Sequence, residues 1–252
     1  MKRTLISLAI AGALSLGSVV QAAEFADFTV DETAFGGGLV NADKLNGGYS
    51  ERITFGAGGA FVTNAYGNFG QYFSNEGTVL ESSVINSGYA LYALFNATGF
   101  AVPLVPGLTQ FNATGGGFSL YIDPNRNTTK ALGATGADPI TLGNASDDYK
   151  IAFASLMTSG TGVLTGSGGF FDLVFADFTL VDPEGKNFFV SPDPFYLRVN
   201  VDGDFDTFNV AGTQTVTGDL SAVFQVPEPG SIALLGMGLL GMGLSLRRRK
   251  AA

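Results

Sequence analysis

The stretch that decides the fold class is Gln214-Thr-Val-Thr-Gly-Asp-Leu-Ser-Ala-Val-Phe-Gln-Val226. Val216, Leu220, Ala222, Phe224 and Val226 fall on even positions, while Thr213, Thr215, Thr217, Asp219 and Ser221 fall on odd ones. A period of two marks a strand with one buried and one wetted face. Residues 195–201 repeat it, with Leu197, Val199 and Val201 opposite Tyr196, Arg198 and Asn200. Residues 89–95 and 171–180 are apolar with little alternation, broken in the second case by Asp172 and Asp177, and read as strands covered on both faces. The Ala-rich runs 89–94 and 151–157 also admit short helices. Residues 51–55, 118–122 and 150–156 complete the strand candidates. Turn clusters such as Asn46-Gly47-Gly48, Asp123-Pro124-Asn125 and Asp182-Pro183-Glu184-Gly185 separate them, and residues 160–169 read as a loop or long hairpin. Many short strands with this punctuation predict an all-β body, a single β-sandwich or jelly-roll-like domain. No period of 20–50 residues points to a solenoid.

Composition removes most catalytic machinery. The 252 residues include no Cys, His or Trp. Nucleophile systems built on His, imidazole or thiolate metal sites, and disulfides are therefore excluded. The net charge of −9 is unevenly placed. From residue 24 to 226, 21 acidic residues face 7 basic ones, a balance of −14. Such a body repels a phosphate backbone, and no nucleic-acid partner is expected.

Both ends read as addresses. Residues 1–23 form a secretory signal: Lys2 and Arg3 supply the positive start, an apolar stretch follows, and small residues place cleavage between Ala22 and Ala23. The competing reading of this segment is an N-terminal anchor. The exported body is expected over 24–225 and a sorting segment over 226–250. There, Pro227, Glu228 and Pro229 enforce an extended backbone. An apolar run follows, carried by Ile232, Leu234, Leu235, Leu239, Leu240, Leu244 and Leu246, and Arg247, Arg248, Arg249 and Lys250 close it. Fifteen residues make a helix of about 22 Å, short for a hydrocarbon core of about 30 Å. The basic cluster would hold this end in the cytoplasm, leaving the body outside the inner membrane. A permanent single-span anchor is the plainer alternative.

Val-Pro-Glu-Pro, a short apolar span and a terminal Arg cluster resemble the PEP-CTERM sorting signal of Gram-negative bacteria. The resemblance implies processing by exosortase, after signal peptidase and the secretion machinery have handled the N-terminus. It also implies an inner-membrane intermediate, then residence at the cell surface or in the extracellular matrix beside exopolysaccharide.

Within the body, Asp202, Asp204 and Asp206 alternate as in the first half of a calcium loop, which makes Ca²⁺ a candidate cofactor. Thr207 and Thr213 stand where such a loop needs Gly and Glu, and a solvated turn explains the same residues. Asp147 and Asp148 read as a turn rather than an acid–base pair. Tyr66, Tyr72 and Tyr196 are the candidate sugar platforms. Neither a phosphate-binding Gly-rich loop nor a nucleophile elbow occurs.

The order of short pieces in the body, among them Phe28-Thr-Val-Asp31, Leu120-Tyr-Ile-Asp-Pro124 and Leu142-Gly-Asn-Ala-Ser-Asp-Asp148, resembles the flocculation-associated PEP-CTERM proteins. That resemblance implies a non-enzymatic surface or matrix protein supporting flocculation or biofilm formation with exopolysaccharide. The alternatives are a glycan-binding module and, further off, a carboxylate-dependent polysaccharide hydrolase.

Overall fold

A computed structural model describes residues 25–225. The expected signal peptide with its Ala22–Ala23 cleavage site, and the sorting segment with its apolar span, lie outside the described residues. The chain opens with β1 (Phe28–Asp31) and β2 (Leu39–Ala42), then the long β3 (Lys44–Phe55) and β4 (Ala60–Ser74) and the short β5 (Val79–Leu80). The hairpin β6 (Ala90–Val105) and β7 (Leu108–Asp123) follows, then the small pair β8 (Thr129–Ala131) and β9 (Thr141–Gly143). After β10 (Tyr149–Ala154), β11 (Met157–Thr165), β12 (Gly168–Phe175) and β13 (Thr179–Leu180) come a one-turn helix α1 (Glu184–Phe188) and β14 (Phe189–Ser191). The last strands are β15 (Arg198–Phe205) and β16 (Thr213–Gln225).

Eight of these strands form a closed antiparallel barrel in the order β11-β12-β15-β16-β3-β4-β6-β7, sealed by pairing of β7 with β11. The sandwich or jelly-roll expectation is therefore overturned. Alternation fixes which side chains face inward but not whether the sheet closes, and both architectures share the period of two. Closure depends on one non-sequential seam, in which Thr109, Gln110, Phe111 and Asn112 meet Leu164, Val163, Gly162 and Thr161. Sequence periodicity carries no trace of that partnership. The runs 89–94 and 151–157 are strand, not helix, apart from a break at Ser155–Leu156.

Further along, β7 exchanges β11 for β10, where Phe118–Ile122 pairs with Ala154–Tyr149. The step between β10 and β11 frees backbone donors that must find partners. Asp177 supplies them, accepting from the Ser155 N–H (2.9 Å), the Leu156 N–H (2.8 Å) and the Ser155 hydroxyl (2.7 Å). Burial would push this carboxyl up, but these donors hold it below its ordinary value.

Asn46-Gly47-Gly48 proves to lie inside β3 rather than between strands, with a register shift at Asn46/Gly47. The extra residue of this bulge is Gly70 of β4, and a Cβ at Gly47 opposite it would strike the Asn68 carbonyl, so the close approach of the two strands requires glycine there. The alternation in β16 holds, with Val216, Leu220, Ala222 and Phe224 all buried. That of residues 195–201 holds only in part: Val199 and Val201 are buried, but the strand starts at Arg198 and Leu197 is 60% exposed.

The β3–β4, β6–β7, β11–β12 and β15–β16 connections gather at one end, here called the upper end. The lower end is closed by the sheet β14-β1-β2 and by α1. Phe28 packs there against Phe224 and Phe189, at ring-centroid separations of 5.1 and 6.0 Å. Fully buried Glu32 accepts from the Ser83 and Tyr89 hydroxyls and the Val84 N–H, and Tyr89 pairs with Tyr72 at 2.9 Å. A buried carboxyl is tolerated where its oxygens are partnered in this way.

The outer wall is mostly polar. Arg52 bonds Thr215, Thr54 meets Thr213 and Ser221 bonds Asn46 across neighbouring strands. The connection from β7 to β10 lies over β3 and β4, where Arg52 bonds the Gly133 carbonyl, Asn64 bonds the Gly136 carbonyl and Lys130 bonds Ser50. That cover explains the near-total burial of the outward Tyr92, while its neighbours Leu91 and Ala93 face the barrel core. Exposed apolar side chains cluster at the β6–β7 tip, with Phe100, Val102, Leu104 and Val105, and are scattered elsewhere, as at Phe170 of β12. Among the described residues no helix is long and apolar enough to cross a membrane.

The seam is the point at which the fold is most open to test. A Cβ on Gly160 of β11 would lie 2.6 Å from Ala113 Cβ and 2.8 Å from Met157 Sδ, whereas one on Gly166 meets nothing within 4 Å. Gly160→Val is expected to lower stability by roughly 1–3 kcal/mol through overpacking, read as a lower urea midpoint. Gly166→Val is expected to change it by less than about 0.5 kcal/mol.

Candidate functional site

The barrel interior holds the candidate site. Inward residues of all eight barrel strands line a cavity of about 110 Å³. Its lining is mainly apolar and includes Ile53, Phe95, Phe171, Leu173, Val201 and Leu220. Small inward residues (Ala65, Ala97, Ala113, Gly160 and Gly162) leave the space that larger ones would fill. Eight strands give an interior just wide enough to be packed by side chains or to hold one small ligand. At the upper end Phe208, from the β15–β16 connection, stacks on Phe55 at 6.2 Å and meets Phe205 at 5.5 Å and Phe111 at 6.0 Å. These four rings roof the cavity.

Two polar side chains on β3 break the apolar lining. Glu51 and Tyr49 are two residues apart on a strand and therefore share the inward face. Protein surrounds the Glu51 carboxyl, and what surface the residue keeps faces the cavity. Burial raises this carboxyl above its ordinary value of 4.5, against a smaller opposing effect of the Thr63 hydrogen bond. The Thr63 hydroxyl donates to the Glu51 carboxyl and also lies 3.0 Å from the Arg52 carbonyl, so its one hydrogen is divided between two acceptors. The Tyr49 hydroxyl is buried with no hydrogen-bond partner, while its ring meets Phe171 edge-on at 5.5 Å.

The structure scatters the residues singled out by sequence. Asp202 and Asp204 project from the outer face of β15, and Asp206 lies just beyond that strand. Alternate strand residues stand about 7 Å apart, so the three spread along a line rather than round one ion. Asp202 instead sits opposite Asp172 of β12 in register. Its carboxyl is raised by burial, with Lys44 and Ser221 acting against the shift and Asp172 adding to it.

The carboxylates that do converge are Asp123, Asp147 and Asp148, whose oxygens lie within 4.8 Å of one another. Sequence reading treated 147 and 148 as a turn and missed Asp123, which reaches them only because β7 and β10 pair. Asp123 accepts from the N–H groups of Asn125, Arg126 and Thr128, and Asp148 from the Tyr92 and Thr128 hydroxyls. Asp147 accepts from the Asn125 amide. Most of these bonds tie down the loop after β7.

The three candidate sugar platforms are engaged elsewhere. Tyr66 is 8% exposed and lies between Lys130, 4.3 Å above its ring, and Tyr92, stacked at 5.1 Å. Burial and the charges of Asp123 and Asp148 push its hydroxyl up to about 12. Tyr72 belongs to the buried Glu32 network, and Tyr196 stacks on Phe224 while donating to the Asp27 carbonyl. The sorting residues Pro227, Glu228 and Pro229 and the basic cluster 247–250 lie outside the described residues.

Comparison with known proteins identifies the tail. Residues 225–250 match the family profile of the PEP-CTERM protein-sorting motif. The chain thus carries the PEP-CTERM sorting motif, the mark of an exported protein sorted by exosortase. No curated protein sequence matches. Among solved structures, Ail, the attachment invasion locus protein of Yersinia pestis, aligns over 73% of this chain and 97% of its own length. The identity is 9% and the TM-score 0.18, too low to carry an argument.

The Glu51 arrangement has a pH consequence. The unfolded chain releases this proton near its ordinary value of 4.5, while the folded barrel retains it to a higher pH. Stability contributed by the neutral carboxyl is therefore present below 4.5 and declines as the pH rises toward the folded value. Glu51→Gln keeps the shape and a donor without the titration. It is expected to be more stable than the parent at pH 7 and nearly equal at pH 4 in urea unfolding. A stability difference that stays flat across that range would mean the carboxyl is not held neutral.

Proposed function

We propose that this protein acts at the cell surface or in the extracellular matrix, where it supports flocculation or biofilm formation with exopolysaccharide. The observation that carries this reading is the sorting tail joined directly to a barrel whose wall is polar outside and apolar inside. A membrane-spanning barrel has the reverse arrangement, an apolar band outside and a polar lumen. Here Ser50, Arg52, Thr54, Thr215, Thr217 and Asp219 face outward, while Ile53, Val216 and Leu220 face inward. Such a wall suits a hydrated matrix. The resemblance of the body to flocculation-associated PEP-CTERM proteins supports the same role.

In this reading exosortase acts at Pro227 to Pro229, and contacts with the matrix come from the polar wall. Outward carboxylates, Asp202 and Asp204 among them, meet acidic glycans through divalent cations such as Ca²⁺. A polysaccharide hydrolase draws no support from this geometry, because the carboxyl enclosed in the barrel, Glu51, faces a cavity of 110 Å³ too small for a sugar chain. A glycan platform draws little, since Tyr66 and Tyr72 are covered.

The test is floc formation in a deletion strain rescued by the intact chain or by Pro227→Ala/Glu228→Ala/Pro229→Ala. Rescue by the intact chain alone is the expected result. Equal rescue by both would detach aggregation from sorting, and rescue by neither would sink the flocculation role. Flocs of the rescued strain should disperse on adding a chelator. Aggregation equal with and without it would remove the cation bridge.

A further inference from the structure

We propose that the barrel cavity is a binding site for a small neutral molecule, of about one ring or a short chain, carrying a single hydroxyl or carbonyl group. Nothing in the sorting or matrix role calls for such a site, and the inference stands independently of it.

Size sets the first limit. An apolar cavity of about 150 Å³ accepts benzene, and the 110 Å³ here therefore suits a ligand of that order and excludes a fatty-acid chain or a sugar. The cavity is made by residues smaller than the barrel could hold. Ala65, Ala97, Ala113, Gly160 and Gly162 come from four strands that meet round it, and one larger side chain among them would close it.

Polarity sets the second limit. The wall offers the ligand the carboxyl of Glu51, whose charged form burial disfavours, and the hydroxyl of Tyr49. Tyr49 is 8% exposed and its hydroxyl has no partner in the protein. A buried hydroxyl without a partner is costly, and a ligand oxygen that accepts from it removes that cost. Both groups lie on one strand, so a single ligand oxygen at that side of the cavity can reach them while the body of the ligand stays against Phe95, Phe171 and Leu220.

Charge sets the third. No Lys or Arg lines the cavity, since Arg52 points outward to Thr215 and Gly133. An anion would enter a low-dielectric space without a counter-charge. Phe208 lies across the upper end on a connection rather than a strand, and its displacement is the shortest way in.

The test uses the full chain in lipid nanodiscs, titrated with benzene, phenol and benzoate and followed by the methyl resonances of Ile53 and Leu220. A signal inside the barrel separates binding from partition into lipid. Saturable shifts are expected with phenol and more weakly with benzene, with none from benzoate. A preference of about tenfold for phenol corresponds to about 1.4 kcal/mol, the scale of one hydrogen bond. Tyr49→Phe, nearly isosteric and removing an unpartnered group, should fold and reduce that preference. Glu51→Leu should reduce it further, and Glu51→Gln should retain most of it. Ala113→Leu should abolish binding of both neutral probes. Absence of saturable shifts in the parent, undiminished binding in Ala113→Leu, or benzoate bound as tightly as phenol would each overturn the proposal. So would an unchanged phenol preference in both Tyr49→Phe and Glu51→Leu.

Discussion

Everything in this structure depends on the hydrogen bonds between β7 and β11. Without them the sheet would end in two edges with unpaired backbone donors and acceptors, the template for unwanted strand pairing. With them the sheet has an inside and an outside, and each strand divides its residues between the two. The seam is narrow because β7 gives its second half to β10. Small residues let the strands approach there, and Asp177 takes up the donors freed where β10 passes into β11.

Closure then changes what an inward position means. In a sandwich, inward residues meet an opposing sheet and fill the gap by interdigitation. In an eight-stranded ring they converge on an axis, and whether space remains depends on their sizes. The lower part is packed by large rings, with Phe28, Phe178 and Phe189 all against Phe224. The upper part is lined partly by Ala and Gly and keeps a cavity. Placing Glu51 in that part demands either a buried negative charge or a neutral acid. Burial favours the neutral form, against the hydrogen bond that Thr63 donates to the carboxyl. The electrostatics of the site thus follow from the topology of the wall.

This also explains what the sequence could and could not disclose. The strand ending at Gln225 was legible because its faces differ: Val216 and Leu220 against Thr217 and Asp219. Runs such as Leu91-Tyr92-Ala93 were legible as doubly covered. The identity of the cover, a loop some forty residues later, was not. Gly47 and Gly48 misled because glycine serves equally in a turn and where two strands approach closely, and only the Asn68 carbonyl against Gly47 distinguishes the two. The Asp202, Asp204, Asp206 spacing suggested a loop, but on an extended strand the same spacing disperses the charges. Glu51 passed unnoticed within a strand candidate beside Arg52. Its one available signal was position: a carboxylate sharing the inward parity of Ile53, where alternation calls for an apolar side chain.

The two ends of the barrel consequently face different tasks. The last wall strand stops at Gln225 and the sorting motif starts at residue 225, so no linker separates them. That strand ends at the lower end, where β1, β2, β14 and α1 pack and Glu32 is fully bonded. The cavity and its Phe208 roof lie toward the opposite end. Antiparallel connectivity imposes this division, because it places the closing sheet at one end of the ring and the long β15–β16 connection at the other.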